Sequence, residues 1–371
     1  MAGHPRRDRA RPERPADLLT ASARLIVTGY ATNARRWTYI ATASLAIAVG
    51  AYFLQQRVEY TREHTIPVGL RAFDVDDPIP ICGRWKDTMP KTRDPTAYRL
   101  YIDARNLWRS KIEWQLTRQE ALSILNDVQT AASLGDWGAR ALMAYFYRSG
   151  LGPLKSNHVL EPDGDKVVEI VRTAVAAGQA WGYYDLGVAH EHGYGGAAYD
   201  KNIAWAYYLK AAELGSPEAQ MALAGAYLKA GRRDADAAMV MCSYRQGHGP
   251  AAYKLGIRAE ILKDFAAAVG YHQAGTRFGS KNSAVSLRMM FDIKEWDLRD
   301  KQDQAALKEL QILPDPEREH RYDQLADALD LNPDLKLSRL DQVLPLPPAE
   351  LPAWQGVQDA IAPEPDGPPA Y

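Results

Sequence analysis

Small and large apolar residues recur through the middle of this chain in a fixed register around five glycines. The segments AASLGDWGARALMAYFY, AVAAGQAWGYYDLGVAH, AAELGSPEAQMALAGAY, CSYRQGHGPAAYKLGIRA and AGTRFGSKNSAVSLRMMF align on Gly135, Gly178, Gly215, Gly247 and Gly279. Four residues before each glycine stands Ala131, Ala174, Ala211, Ser243 or Gly275, and four after it Ala139, Gly182, Ala219, Ala251 or Ser283, all small. Eight residues after it stands Met143, Leu186, Leu223, Leu255 or Leu287, each large and apolar. The glycines lie 43, 37, 32 and 32 residues apart, so length varies in the connections and not in the motif. Self-similarity at such a period predicts a stack of helical units. The glycine ends one helix in a left-handed cap, the small residues let consecutive helices cross closely, and the large residue fills the groove between units. The predicted fold is all-α: a right-handed superhelical solenoid of stacked helix pairs over residues 95–311.

Outside the repeats the pattern changes. Trp37 to Leu54, WTYIATASLAIAVGAYFL, is an uncharged run that would span about 27 Å as a helix, enough to predict a transmembrane anchor. Trp37, Tyr39 and Tyr52 stand near its ends, where aromatic rings favour the membrane interface. Residues 1–36 carry eight arginines against Asp8, Glu13 and Asp17, whereas the whole chain has a formal charge of −1. A basic head before an apolar run reads as the flank of an anchor rather than a nucleic-acid arm, and it places the N-terminus in the cytoplasm and the repeats across the membrane. A cut after Val49-Gly50-Ala51 is the alternative, against which the length of the head speaks. Residues 55–94 bear prolines and aspartates and read as an extended linker, followed by a helix from about Pro95 to Arg109. After the repeats, DPEREHRYDQLADAL reads as a charged helix. NPDLKLSRLDQVLPLPPAELPAWQG is a proline-locked tail whose Trp354 and leucines would cap the last unit, giving a capping region over 312–356. Residues 357–371 read as disordered.

The search for chemistry returns little. Hydrophobic residues make up 46% of the chain, which fits a folded protein. His190 and His192 stand two apart but no cysteine or carboxylate pair completes a metal site, and there is no nucleophile elbow, phosphate-cradling loop or HExxH motif. Neither an enzyme nor a cofactor is expected. Cys82 and Cys242 are the two cysteines; they are either two buried thiols or, in an oxidising compartment, one disulfide. Aromatic residues are dense in the repeats. Neighbours such as Tyr183-Tyr184 and Tyr207-Tyr208 point about 100° apart on a helix, so one member of each pair should face outward. With Arg140, Glu218 and Lys254 they are the candidates for a partner-binding surface, because aromatic and arginine side chains dominate binding energy.

The best repeat copy, YYDLGVAHEHGYGGAAYDKNIAWAYYLKAAELGSPEAQMALAGAY from Tyr183 to Tyr227, resembles a Sel-1-like repeat, a relative of the tetratricopeptide repeat. The family pattern is met at Leu186-Gly187, Gly193, Gly195, Asp200, Ala204, Ala211-Ala212, Gly215 and Ala219. It is broken at Leu223-Ala224, where the usual glycine is replaced, and after Tyr227, where the glycine-rich turn is missing. Taken with the Cys82 segment, MCSYRQGHGPAAYKLG and the PLPPAELPAW tail, the exported region is similar to one bacterial family associated with type VI secretion immunity. That resemblance implies an immunity protein anchored in the inner membrane, with periplasmic repeats that neutralise a cognate protein toxin, some family members acting against phospholipases. An envelope scaffold in signalling or assembly is the alternative.

Overall fold

The structure is a computed structural model that describes residues 42, 44, 45 and 47–361. It divides into two units, Met1–Thr65 and Ile66–Tyr371. In the first, residues 42, 44, 45 and 47–63 are helical (α1). The basic head and Trp37 lie outside the described residues. Within α1 the continuous described apolar run is 47–54, after which Gln55, Gln56 and Arg57 continue the same helix. Among the described residues no helix is long and apolar enough to cross a membrane. The expected anchor from Trp37 to Leu54 is therefore corrected, and with it the single-pass inner-membrane placement with periplasmic repeats.

The second unit is a stack of antiparallel helix pairs. Helix α2 (Pro95–Trp108) packs on α3 (Arg118–Ser133). Then follow the pairs α3/α4 (Trp137–Ser149), α5 (Gly164–Ala176)/α6 (Ala180–His192), α7 (Lys201–Leu214)/α8 (Pro217–Lys229), α9 (Arg233–Tyr244)/α10 (Gly249–Ile261) and α11 (Phe265–Arg277)/α12 (Lys281–Phe291). Short helices α13 (Ile293–Leu298) and α14 (Lys301–Glu309) lead to α15 (Pro316–Leu331), which packs along α12, and to α16 (Leu340–Val343).

The register of the sequence is the register of the packing. All five motif glycines have positive φ. Gly215 closes α7 with its N–H on Ala212 O (3.1 Å), while Ser216 N–H reaches Ala211 O (2.8 Å). Ser216 then caps α8 by accepting from Ala219 N. The small positions meet at the helix crossings: a Cβ on Gly182 would lie 2.6 Å from that of Ala174. Of the large positions Met143, Leu186, Leu223 and Leu287 are buried, whereas Leu255 is half-buried against the α7–α10 core.

Two segments differ from expectation. Residues 55–63 are helical rather than extended. Residues 66–94 are irregular apart from one 3-10 turn, Trp85–Thr88, but they are a strap packed on the repeats and not a linker. Ile66, Leu70, Trp85 and Met89 join the core of the α4–α7 region, and Phe73, Val75 and Ile79 join that of α7–α10. At the other end Leu340, Leu344 and Ala360 are buried against α12 and α15. Arg321 of α15 donates to Val343 O (3.0 Å) and Pro352 O (2.9 Å), and Trp354 Nε1 donates to Gln324 (2.7 Å). The proline segment is thus bound through its carbonyls, which proline leaves free to accept. Val357–Ala360 forms a 3-10 turn with Ala360 buried, correcting the disorder expected from 357; residues 362–371 lie outside the described residues.

Candidate functional site

The expected partner surface does not form one patch. Tyr207 and Tyr208 are both buried, at 8% and 3% exposure, so the expectation that one of them faces outward is corrected. Helix α7 is flanked by α6 and α8, and the strap covers it as well, with Phe73 stacked on Trp205 at 5.2 Å. Tyr183 packs against Tyr207 (6.2 Å) and Tyr184 against Tyr208 (5.4 Å), so the four rings interleave between α6 and α7. The Tyr208 hydroxyl donates to Glu191 (2.5 Å). Arg140 is half-buried and donates to Ala132 O at the end of α3 (3.2 Å). Lys254 shares Asp236 with Arg258. Glu218 is half-buried and accepts from Ser216 Oγ (3.0 Å). His190 donates to Ala198 O through Nδ1 (2.9 Å), and among the described residues no group of three or more His, Cys, Asp or Glu is placed to hold a metal.

Glu218 belongs to a seam of ionisable groups on α4, α6, α8 and the start of α10. Burial pushes the Asp185 carboxyl up to about 7, against the pull of Arg148 at 3.4 Å. Burial likewise pushes Glu218 up to about 7, and it lowers His248 to about 4 with help from Lys336. A carboxyl whose folded pKa is raised binds its proton more readily in the folded state, so stability is lost above about pH 7 and gained as pH falls through it. His248 works in the opposite direction, and only below its ordinary value near 6.5. Stability should therefore rise by about 1 kcal/mol between pH 8 and 6.5. Urea melts at the two pH values should show this for the wild type and a smaller difference for Asp185→Asn. Equal slopes for both proteins would mean that Asp185 does not titrate there.

What the seam leaves open is decided at the ends of the helices. On one edge lie the turns that join the first helix of each pair to the second, where the motif glycines stand. The strap runs along this edge against the chain order. Arg93 pairs with Asp136 (2.6 Å), Thr88 Oγ1 accepts from Ala180 N (3.4 Å), and Gly83 O accepts from Gln220 Nε2 (3.2 Å). Trp85 N–H donates to Gln246 (2.9 Å), and Cys82 is joined to Cys242 with Cα atoms 5.4 Å apart. A Cβ on Gly215 would overlap the backbone of Arg84 and Trp85, so this glycine serves the strap as well as the cap. At Gly279 the C-terminal segment takes over, with Leu335 O where a Cβ would fall and Lys336 Nζ donating to Phe278 O (2.7 Å). One edge of the array is sealed by its own chain. Sequence reasoning missed this strap; its signal was the apolar series Ile66, Leu70, Phe73, Val75, Ile79, Trp85 and Met89 inside a segment otherwise rich in turn formers.

The class defined by this architecture is the all-α solenoid of stacked helix pairs. Among solved structures the chain resembles three from Pseudomonas aeruginosa. The protein described as PA5086 is 27% identical, with a TM-score of 0.58 over 76% of this chain and 98% of that one. The immunity protein Pa5087 is 26% identical, with a TM-score of 0.56 over 72% of this chain and 94% of that one. The immunity protein PA5088 is 25% identical, with a TM-score of 0.55 and the same coverage. Residues 283–363, from α12 through the proline segment, match the model of a domain of unknown function, DUF6396. No curated protein matches the chain.

Proposed function

We propose that this chain is an immunity protein that binds a cognate protein toxin and neutralises it, and that the toxin is a type VI secretion effector, of phospholipase type in the reading that the sequence resemblance favours. The likeness to the immunity proteins Pa5087 and PA5088 over 94% of their length carries the proposal. The architecture supports it. Stacked repeats present an extended surface suited to a folded partner rather than the concave polar pocket of a small-molecule site. Neutralisation requires slow release, because an escaped toxin keeps turning over, and slow release comes from apolar anchors in the interface.

The test is co-expression of the full chain with the product of the adjacent gene. The pair should co-purify through gel filtration, and the chain should abolish the toxicity of its partner. No complex and no rescue would move the reading to a scaffold role.

A further inference from the structure

Opposite the sealed edge lie the connections from the second helix of one pair to the first helix of the next, at 150–163, 193–200, 230–232 and 262–264. The strap reaches this edge at the third of them, where Arg232 donates to Val75 O (2.6 Å) and Asp77 O (3.4 Å). Here large apolar side chains stand in water at each connection. Leu154, Tyr199, Leu228, Ile261 and Leu262 range from 46% to 78% exposed. The first two connections are neighbours, Gly195 N lying 3.2 Å from where a Cβ on Gly164 would fall, and Lys263 of the last pairs with Asp303 of α14 (2.7 Å).

The charge on this edge has a sign. Its carboxylates are engaged within the chain: Asp163, Asp200 and Asp264 accept from the first N–H groups of α5, α7 and α11. Glu161 pairs with His158 and Asp234 with Arg232. Asp165 sits in the first turn of α5, where the positive end of the helix offsets it. The cations Lys155, Lys201, Lys229 and Arg233 are exposed and make no ion pair among the described residues. The unpaired charge is positive but for Asp165, and Lys155, Lys201 and Lys229 stand within two residues of the exposed Leu154, Tyr199 and Leu228.

Resting on the immunity reading, we propose that this edge, open except where the strap meets Arg232, is the docking surface, and that it takes an acidic face of the toxin with apolar depressions matched to the row of leucines and Tyr199. The lysines and Arg233 steer the approach and the apolar side chains hold the complex. The anchors stand about one helix spacing apart, roughly 10 Å, so a folded face can meet several of them at once.

Two variants of the full chain test this against the catalytically inactivated product of the adjacent gene, immobilised for interferometry. K229E/R233E should slow association and weaken binding about tenfold at low salt, with the difference shrinking as salt rises. L228S/L262S should speed dissociation about tenfold with association unchanged. Ile81→Ser removes an apolar side chain that is 85% exposed on the sealed edge, and should bind like the wild type. All five positions are exposed, and unchanged circular-dichroism melts establish that each variant folds. A wild-type complex that both edge variants leave intact overturns this inference alone. Failure of the wild type to bind removes the immunity reading and this inference with it. A wild-type chain that is dimeric by light scattering and becomes monomeric in L228S/L262S would assign the edge to self-association instead, which also overturns it.

Discussion

Replacing Cys82 and Cys242 together by serine is expected to lower the unfolding free energy by about 5 kcal/mol. The two residues are 160 positions apart and join the strap to the end of α9. A cross-link closing so long a loop removes much of the freedom of the unfolded chain, and the chain-entropy account grows with the logarithm of that length. The folded side matters too. Without the bond, the strap is held by scattered contacts: the Arg93–Asp136 pair, the Trp85 and Gly83 hydrogen bonds, and Phe73 between Trp205 and Tyr227. Amides of 66–93 should then exchange faster than those of the repeats, because the strap has lost its covalent tether while the helix pairs keep their own cores. Non-reducing peptide mass spectrometry of the native protein should find the linked pair. Two freely alkylated thiols in the folded protein, or a melt unaffected by reductant, would sink this account.

The same comparison shows where the sequence was readable. The repeat units were, because a solenoid repeats its packing problem: the crossing needs a small residue at Ala174 and Gly182, and again at Gly275 and Ser283, so the pattern tests itself copy by copy. The strap could not be found in that way. It occurs once, and its apolar residues are spaced by the edge they cover, not by a helix or strand period. The tyrosine pairs misled for a related reason. Alternation about a helix axis puts one of Tyr207 and Tyr208 outside only if one side of α7 is free, and Phe73, arriving from more than a hundred residues away, covers that side. The open edge was invisible because exposure is a property of what fails to pack there. Leu154, Tyr199, Leu228 and Leu262 fall in or beside connections of different length, so they share no register in the alignment on the glycines. The contact between Asp334 and α2 left no trace in NPDLK at all.

That contact carries the second large effect. Asp334 lies after α15, yet its carboxylate meets Arg105 of α2 and Arg109 at its C-cap, each at 3.0 Å, so the end of the array meets its beginning. All three side chains are largely buried, at 13%, 14% and 18% exposure. Removing the acid strands two guanidinium groups in a site too dry to solvate them, and Asp334→Ala should cost roughly 3–5 kcal/mol, the usual range for breaking a buried pair from one side. Asp334→Asn keeps the shape and loses the charge, so it should cost nearly as much if the charge is what matters. Burial alone would raise the Asp334 pKa, but Arg105 and Arg109 outweigh it and hold the carboxyl below its usual range. A lowered folded pKa contributes stability that is present above the unfolded value of about 3.9 and is lost as pH falls through the folded one. The wild type should therefore lose this contribution only in strong acid, and the stability difference between wild type and Asp334→Asn should narrow below about pH 4. Hydrogen exchange gives the local readout: amides of α2 should open faster in the variant while those of α7 and α8, packed in their own core, should not. A variant with wild-type stability at pH 7 and unchanged exchange in α2 would mean that helix packing alone holds the two ends of the array together.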